Sequence, residues 1–160
     1  MGEVSAFGGG EMTLNILALD IATKTGWASR INGVIQSGVM DMNRLEEMGA
    51  KGWAFSKWIC DKLDGIDMLV IERPFGGRNG NVAYYLGGLA FTAHAIAAGH
   101  GVKRTEVPPK TIKKFVTDNG AASKADIIDV VRRWGFNPAD DNEADSLALL
   151  TYAIENLEDR

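Results

Sequence analysis

The chain has 160 residues, 46% of them apolar, which gives it the length and apolar content for one compact domain with a single core. Its single cysteine, Cys60, excludes an intramolecular disulfide and a cysteine-rich zinc site, and the two histidines, His94 and His100, lie far from it, so any bound metal is expected to be held by oxygen. The formal charge of −4 argues mildly against a nucleic-acid partner, yet basic residues gather between Lys103 and Arg133 while the tail from Asp140 is acidic, which reads as a basic surface beside an acidic pocket.

Residues 1–12 are Gly-rich and aperiodic and read as a flexible leader, leaving 13–160 as the folded domain. No apolar run approaches the roughly 20 residues that span a bilayer, and the opening lacks the basic start and apolar middle of a signal peptide. The expectation is a soluble, cytoplasmic protein with no membrane partner.

Leu14 to Leu19 is an apolar run of strand length ending at Asp20. Gly26 to Arg30 and Val34 to Met40 flank Asn32-Gly33, a dipeptide that between apolar runs signals a hairpin. Three strands in meander order follow. From Asn43 to Leu63 the apolar residues Leu45, Met48, Trp53, Phe55, Trp58, Ile59 and Leu63 recur at near-helical spacing, predicting a first helix.

Met68 to Ile71 is a fully apolar strand ending at Glu72, and Pro74 with Gly76-Gly77 forces a loop after it. Asn79 to Ala98 reads as an Ala- and Gly-rich second helix, and Val102 to Val107 as a fifth strand closed by Pro108-Pro109. A short helix spans roughly Lys110 to Val116. Ser123 caps another that runs to Trp134 and stops at Gly135, and Asp140 to Leu157 forms the last, with acidic residues where the helix dipole favours them. An antiparallel meander followed by strands alternating with helices implies an α/β sheet of five strands with helices on both faces.

Asp20 sits where an apolar strand meets a polar, Gly-containing turn, the open edge at which α/β sheets put their ligands. Taken alone, it could simply cap that turn. Glu72 ends a second buried strand, where an unpaired carboxylate is costly unless a cation or a base such as Arg73 compensates it. Asp145 lies near the start of the last helix, with Asp141 four residues and Asn142 three residues before it, so either pair shares a helix face. Asp140 and Glu143 read as a solvated acidic N-terminus. Three carboxylates on three elements suit hard divalent cations, and two magnesium ions roughly 4 Å apart would activate a water and stabilise the leaving oxygen in an in-line attack on phosphate. The residues thus point to metal-dependent phosphoryl transfer.

Five segments then form a pattern: Ala18 to Ala28, Ile71 to Phe75, Pro109 to Lys114, Gly120 to Lys124 and Glu143 to Ala148. In order and spacing they resemble the RuvC family of Holliday-junction resolvases, over essentially all of residues 14–157. The resemblance implies a ribonuclease H-like fold, with three antiparallel strands and then two parallel ones. It also implies a homodimer, and magnesium-dependent paired nicking of four-way DNA junctions that leaves 5′-phosphate ends, with manganese able to substitute.

By position, Asp20, Glu72 and Asp145 match the family's first, second and last carboxylates. The family usually has another acid, or sometimes a histidine, three residues before the last Asp. Here that position is Asn142, and Asp141 is the alternative fourth ligand. This variant motif and the short chain look more like the phage branch of the family.

Phe75 matches an aromatic that the family inserts against junction bases, and Lys113 and Lys124 match lysines near the scissile region. Arg73, Arg78, Lys110 and Lys114 are further candidate DNA contacts. The segment Val82 to Phe91 offers a second apolar helix face suited to a two-fold interface. His94 and His100 are assigned no chemistry, and Cys60 and the four tryptophans read as packing residues.

Competing readings are a less selective nuclease acting on flaps, forks or RNA–DNA hybrids, and an inactive junction-binding module. The spacing of Asp20, Thr23 and Gly26 also suits an actin-like sugar kinase, but that fold needs a second phosphate motif and a much longer chain.

Overall fold

The protein is described by a computed structural model over residues 13–75 and 77–158; the leader read at residues 1–12 lies outside the described residues. Three antiparallel strands open the fold: β1 (Ile16–Asp20), β2 (Lys24–Ile31) and β3 (Val34–Asp41). Asn32 and Gly33 join β2 to β3 with φ of 51° and 80°, the double positive φ of a two-residue hairpin turn. After helix α1 (Met48–Lys62), strand β4 (Met68–Glu72) pairs with β1 in parallel. Helix α2 (Gly80–Gly99) then leads to β5 (Lys103–Val107), which is parallel to β4. Helices α3 (Pro109–Thr117), α4 (Lys124–Arg133) and α5 (Asp141–Asn156) complete the chain. The sheet order is β3-β2-β1-β4-β5, the five-stranded mixed sheet that the sequence implies.

Both faces of the central strands are covered, which is why β1 and β4 are continuously apolar rather than alternating. Side chains along a strand point to opposite faces in turn. Leu17, Leu19, Leu69 and Ile71 therefore pack with Phe55 and Ile59 of α1 and with Leu86, Leu89 and Ala93 of α2. Ile16, Ala18, Met68 and Val70 pack with Leu147, Ala148 and Leu150 of α5 and with Ile127 and Val131 of α4. Continued by one step, this alternation carries the side chains of Asp20 and Glu72 to the α5 face.

Several boundaries differ from those read in the sequence. Helix α1 begins at Met48 rather than near Asn43. The Glu47 carboxylate accepts the Gly49 and Ala50 N–H groups at 2.7 Å each, and Asp41 Oδ1 accepts the Asn43 N–H at 2.8 Å, so the intervening residues form a turn. Trp53 is not a packing residue: it lies opposite Phe55 and Ile59 on α1, is 67% exposed, and has Lys57 Nζ 5.9 Å from its ring. Cys60 is exposed as well.

Contrary to the expectation that no apolar stretch approaches membrane-spanning length, α2 does so. Its 20 residues are by length and composition enough to cross a bilayer. Much of that apolar character comes from Ala and Gly, and Leu86, Leu89, Ala90, Ala93 and Ala97 seat the helix in the core.

Candidate functional site

Asp20 and Glu72 are register partners at the ends of adjacent parallel strands, about 4.8 Å apart across the sheet, with their side chains on the same face. Asp145 reaches that face from α5. The helix is set by Asp140, whose carboxylate accepts the Glu143 N–H at 2.9 Å. Its close approach depends on Gly26, the residue of β2 paired with Asp20. A Cβ at Gly26 would stand 1.9 Å from the backbone oxygen of Asn142, so only glycine lets the first turn of α5 lie against the sheet here.

Burial of the three carboxylates disfavours their charged forms. Asp20 is held well above the usual carboxylate range, by burial first and then by Glu72 and Asp145, with Lys124 opposing. Burial, reinforced by Asp145 and opposed by Lys113 and Lys124, pushes Glu72 up to about 7. Burial also raises Asp145 to about 6, with Lys124 and Lys113 opposing and Asp141 adding to the rise.

Asp141 behaves differently. It is ion-paired and hydrogen-bonded to Lys124, which holds its carboxyl below the usual range against burial and keeps the lysine ammonium above its own. Asn142 contributes its backbone to the Gly26 contact.

The structure therefore gathers Asp20, Glu72, Asp145, Asp141, Lys113 and Lys124 into one electrostatic cluster. Lys110, Lys114 and Arg78 are exposed outside it, and none is among the charges that most shift the carboxylates. Phe75 is 82% exposed on the loop between β4 and α2. Arg73 does not neutralise Glu72. Its Nε donates to Glu106 Oε2 at 3.2 Å.

Among the described residues, no three acidic, histidine or cysteine side chains converge closely enough to enclose an ion by themselves. The fit of a cation rests on donor chemistry and charge. Four carboxylates share one partly buried site with two lysines, of which one is committed to Asp141, and hard oxygen donors in excess of cations suit a hard divalent cation.

Two features of the site escaped the sequence reading. Glu143 is buried rather than solvated: it accepts from Ser37 Oγ and from the Ala139 N–H, each at 2.7 Å, and so ties α5 to β3. His94, to which no chemistry was assigned, has Nε2 3.0 Å from Glu106 Oε1. Burial pushes the Glu106 carboxyl up, but the bonds to His94 and Arg73 outweigh it and hold the group below its usual range. Both features depend on strand register and helix placement, which no local pattern carries. The one available signal was Glu143 as an acidic residue within an apolar helix face.

No family model matches the chain. A crossover junction endodeoxyribonuclease RuvC of Porphyromonas gingivalis is 33% identical over 84 residues, covering 49% of this chain and 44% of that protein. Its counterpart in Bacteroides fragilis is 39% identical over 67 residues, 42% of this chain and 36% of that protein. The matches thus span less than half the length of these curated relatives. Among solved structures, Thermus thermophilus RuvC in complex with a Holliday junction substrate superimposes with a TM-score of 0.75 at 20% identity, covering 89% of this chain and 94% of that one. The chain is thus similar in sequence to RuvC proteins over about half its length and shares their ribonuclease H-like fold over nearly nine-tenths of it.

Proposed function

We propose that the protein is a magnesium-dependent, structure-selective endonuclease that resolves four-way DNA junctions by paired nicking. The observation that carries this reading is the cluster of Asp20, Glu72, Asp145 and Asp141 at the strand ends, with Lys113 and Lys124 beside it. The sequence similarity to RuvC proteins and the fold shared with a RuvC bound to a Holliday junction support the choice of substrate.

Asp20, Glu72 and Asp145 would hold two magnesium ions, with Asp141 as the fourth ligand. When bound, the ions supply a nucleophilic water at neutral pH and charge stabilisation for the leaving oxygen. The remaining work falls to the chain itself. With their carboxyls raised, Glu72 and Asp145 would have to give up protons to hold a cation, so its binding would strengthen as pH rises. Lys113 and Lys124 neutralise phosphate charge at the scissile position, and Lys124, already bonded to Asp141, links the metal site to the phosphate. Phe75 stacks on bases that are unpaired at the branch point, an interaction typically worth about 1–3 kcal/mol per base. Arg73, Arg78, Lys110 and Lys114 supply further phosphate contacts.

Paired incision of a symmetric junction needs a two-fold assembly. The exposed face of α2, with Val82, Tyr84 and Phe91 at 41%, 73% and 75% exposure, is the proposed homodimer surface.

The test is incubation with synthetic four-way, Y-shaped, flap and linear duplex DNA, with and without magnesium. Magnesium-dependent, symmetric cuts in the four-way junction with 5′-phosphate ends are expected. Equal rates on linear duplex would replace this reading with a general nuclease, and binding without cleavage would leave a junction-binding module.

A further inference from the structure

Arg73 follows Glu72 directly, so its side chain turns to the opposite face of the sheet, away from the carboxylates. Its backbone N–H donates to Val107 O at 2.9 Å, which keeps the chain tied to β5 at the point where the Phe75 loop begins. Its Nε donates to Glu106 Oε2 at 3.2 Å, and the other oxygen of Glu106 stands 3.0 Å from His94 Nε2 on α2. One carboxylate thereby connects the exit of β4, the edge strand β5 and helix α2.

A guanidinium carries five donors in a rigid planar fork. The Nε bond restrains the guanidinium and leaves the donors of its two Nη groups available to another acceptor. Among the described residues Arg73 makes no other side-chain hydrogen bond, and its side chain is 62% exposed, two residues before Phe75. Glu106 and His94 are far less exposed, at 31% and 28%, as befits groups that support a contact rather than make one.

Resting on the junction-binding reading above, we propose that Glu106 and His94 are positioning residues that hold the Arg73 guanidinium with its free edge toward a DNA phosphate beside Phe75. A carboxylate near a phosphate backbone ordinarily repels it, so deleting Glu106 should tighten binding if charge alone mattered. If Glu106 orients Arg73, deleting it weakens binding instead.

The test measures equilibrium binding of a labelled four-way DNA junction without divalent metal, across a salt series. The proteins are wild type, Arg73→Ala, Glu106→Ala, Glu106→Gln, His94→Ala and the double variant Arg73→Ala with Glu106→Ala. Arg73→Ala should weaken binding about 10-fold and reduce the salt slope by about 1. Glu106→Ala should weaken it by a factor of about 3–10. Glu106→Gln should recover part of the loss, because its amide oxygen still accepts from Nε, and His94→Ala should lose less than Glu106→Ala. In the Arg73→Ala background, Glu106→Ala should no longer weaken binding.

Tighter binding by Glu106→Ala would overturn the positioning role. Equal weakening in both backgrounds would also overturn it, assigning Glu106 to the fold alone. Either result, with wild type binding the junction normally, leaves the resolvase reading standing. A wild-type protein that does not bind the junction overturns both.

Discussion

Replacing Glu72 with glutamine is expected to stabilise the metal-free protein while abolishing its cleavage. Burial, then Asp145, moves the Glu72 carboxyl from its ordinary 4.5 to about 7. The folded value exceeds the unfolded one, so the folded state holds the proton more tightly. Stability contributed by that proton is full below pH 4.5 and is lost as pH rises through about 7. At 1.36 kcal/mol per pH unit, the gap corresponds to roughly 3 kcal/mol. Asp145, raised from 3.8 to about 6, shares the same repulsion, so the two effects do not add in full.

Glutamine keeps the shape and removes the charge. At pH 8 without metal the Glu72→Gln protein should gain about 2–3 kcal/mol, a Tm roughly 4–12 °C higher for a chain of this length. The advantage should vanish near pH 4.5. Magnesium should then raise the wild-type Tm more than that of Glu72→Gln, because only the folded, charged site binds it well. Calorimetry at pH 4.5, 6 and 8, with chelator or magnesium, reads all of this. A Glu72→Gln protein no more stable than wild type at pH 8, or an advantage that does not shrink with falling pH, would refute the repulsive-cluster argument.

Gly26→Ala should destabilise the protein by about 3 kcal/mol and sharply reduce cleavage, because its Cβ meets the Asn142 backbone oxygen at 1.9 Å and backbone cannot yield cheaply; urea denaturation giving wild-type stability would contradict this. Asp141→Asn should raise the magnesium concentration needed for half-maximal cleavage, whereas Asn142→Ala should act weakly, and a magnesium titration showing the reverse ranking would give the fourth position to Asn142. Phe75→Ala should slow junction cleavage while changing stability by less than about 0.5 kcal/mol, since the ring is 82% exposed; a matching fall in Tm would make Phe75 a packing residue.

Much of this fold is local and therefore legible in the sequence. Asn32-Gly33, the Ser123 cap with its reciprocal bonds to Asp126, and Gly135 at φ 94° each specify their own turn or helix end. The continuous apolar runs before Asp20 and Glu72 revealed two buried strands, and hence two carboxylates at strand ends. What stayed hidden depends on long-range placement. That Glu143 points inward follows from the roll of α5 against Ser37 on β3, and that Arg73 turns from Glu72 to Glu106 follows from strand register and sheet face. Trp53 misled because its spacing is close to helical, yet it lies opposite the stripe formed by Phe55 and Ile59. The short contact that makes Gly26 necessary involves backbone alone, and no side-chain pattern encodes it.

We propose that Asp20, Glu72 and Asp145 together form a metal-dependent nuclease centre. The decisive measurement is the time course of magnesium-dependent cleavage of a labelled four-way junction by wild type, Asp20→Asn, Glu72→Gln and Asp145→Asn, with junction binding measured in parallel. Wild type should cut only with magnesium, and each variant should bind the junction without cutting it. Near wild-type turnover by any one variant would remove that residue from the centre, and wild-type cleavage undiminished by chelator would rule out a metal-dependent centre.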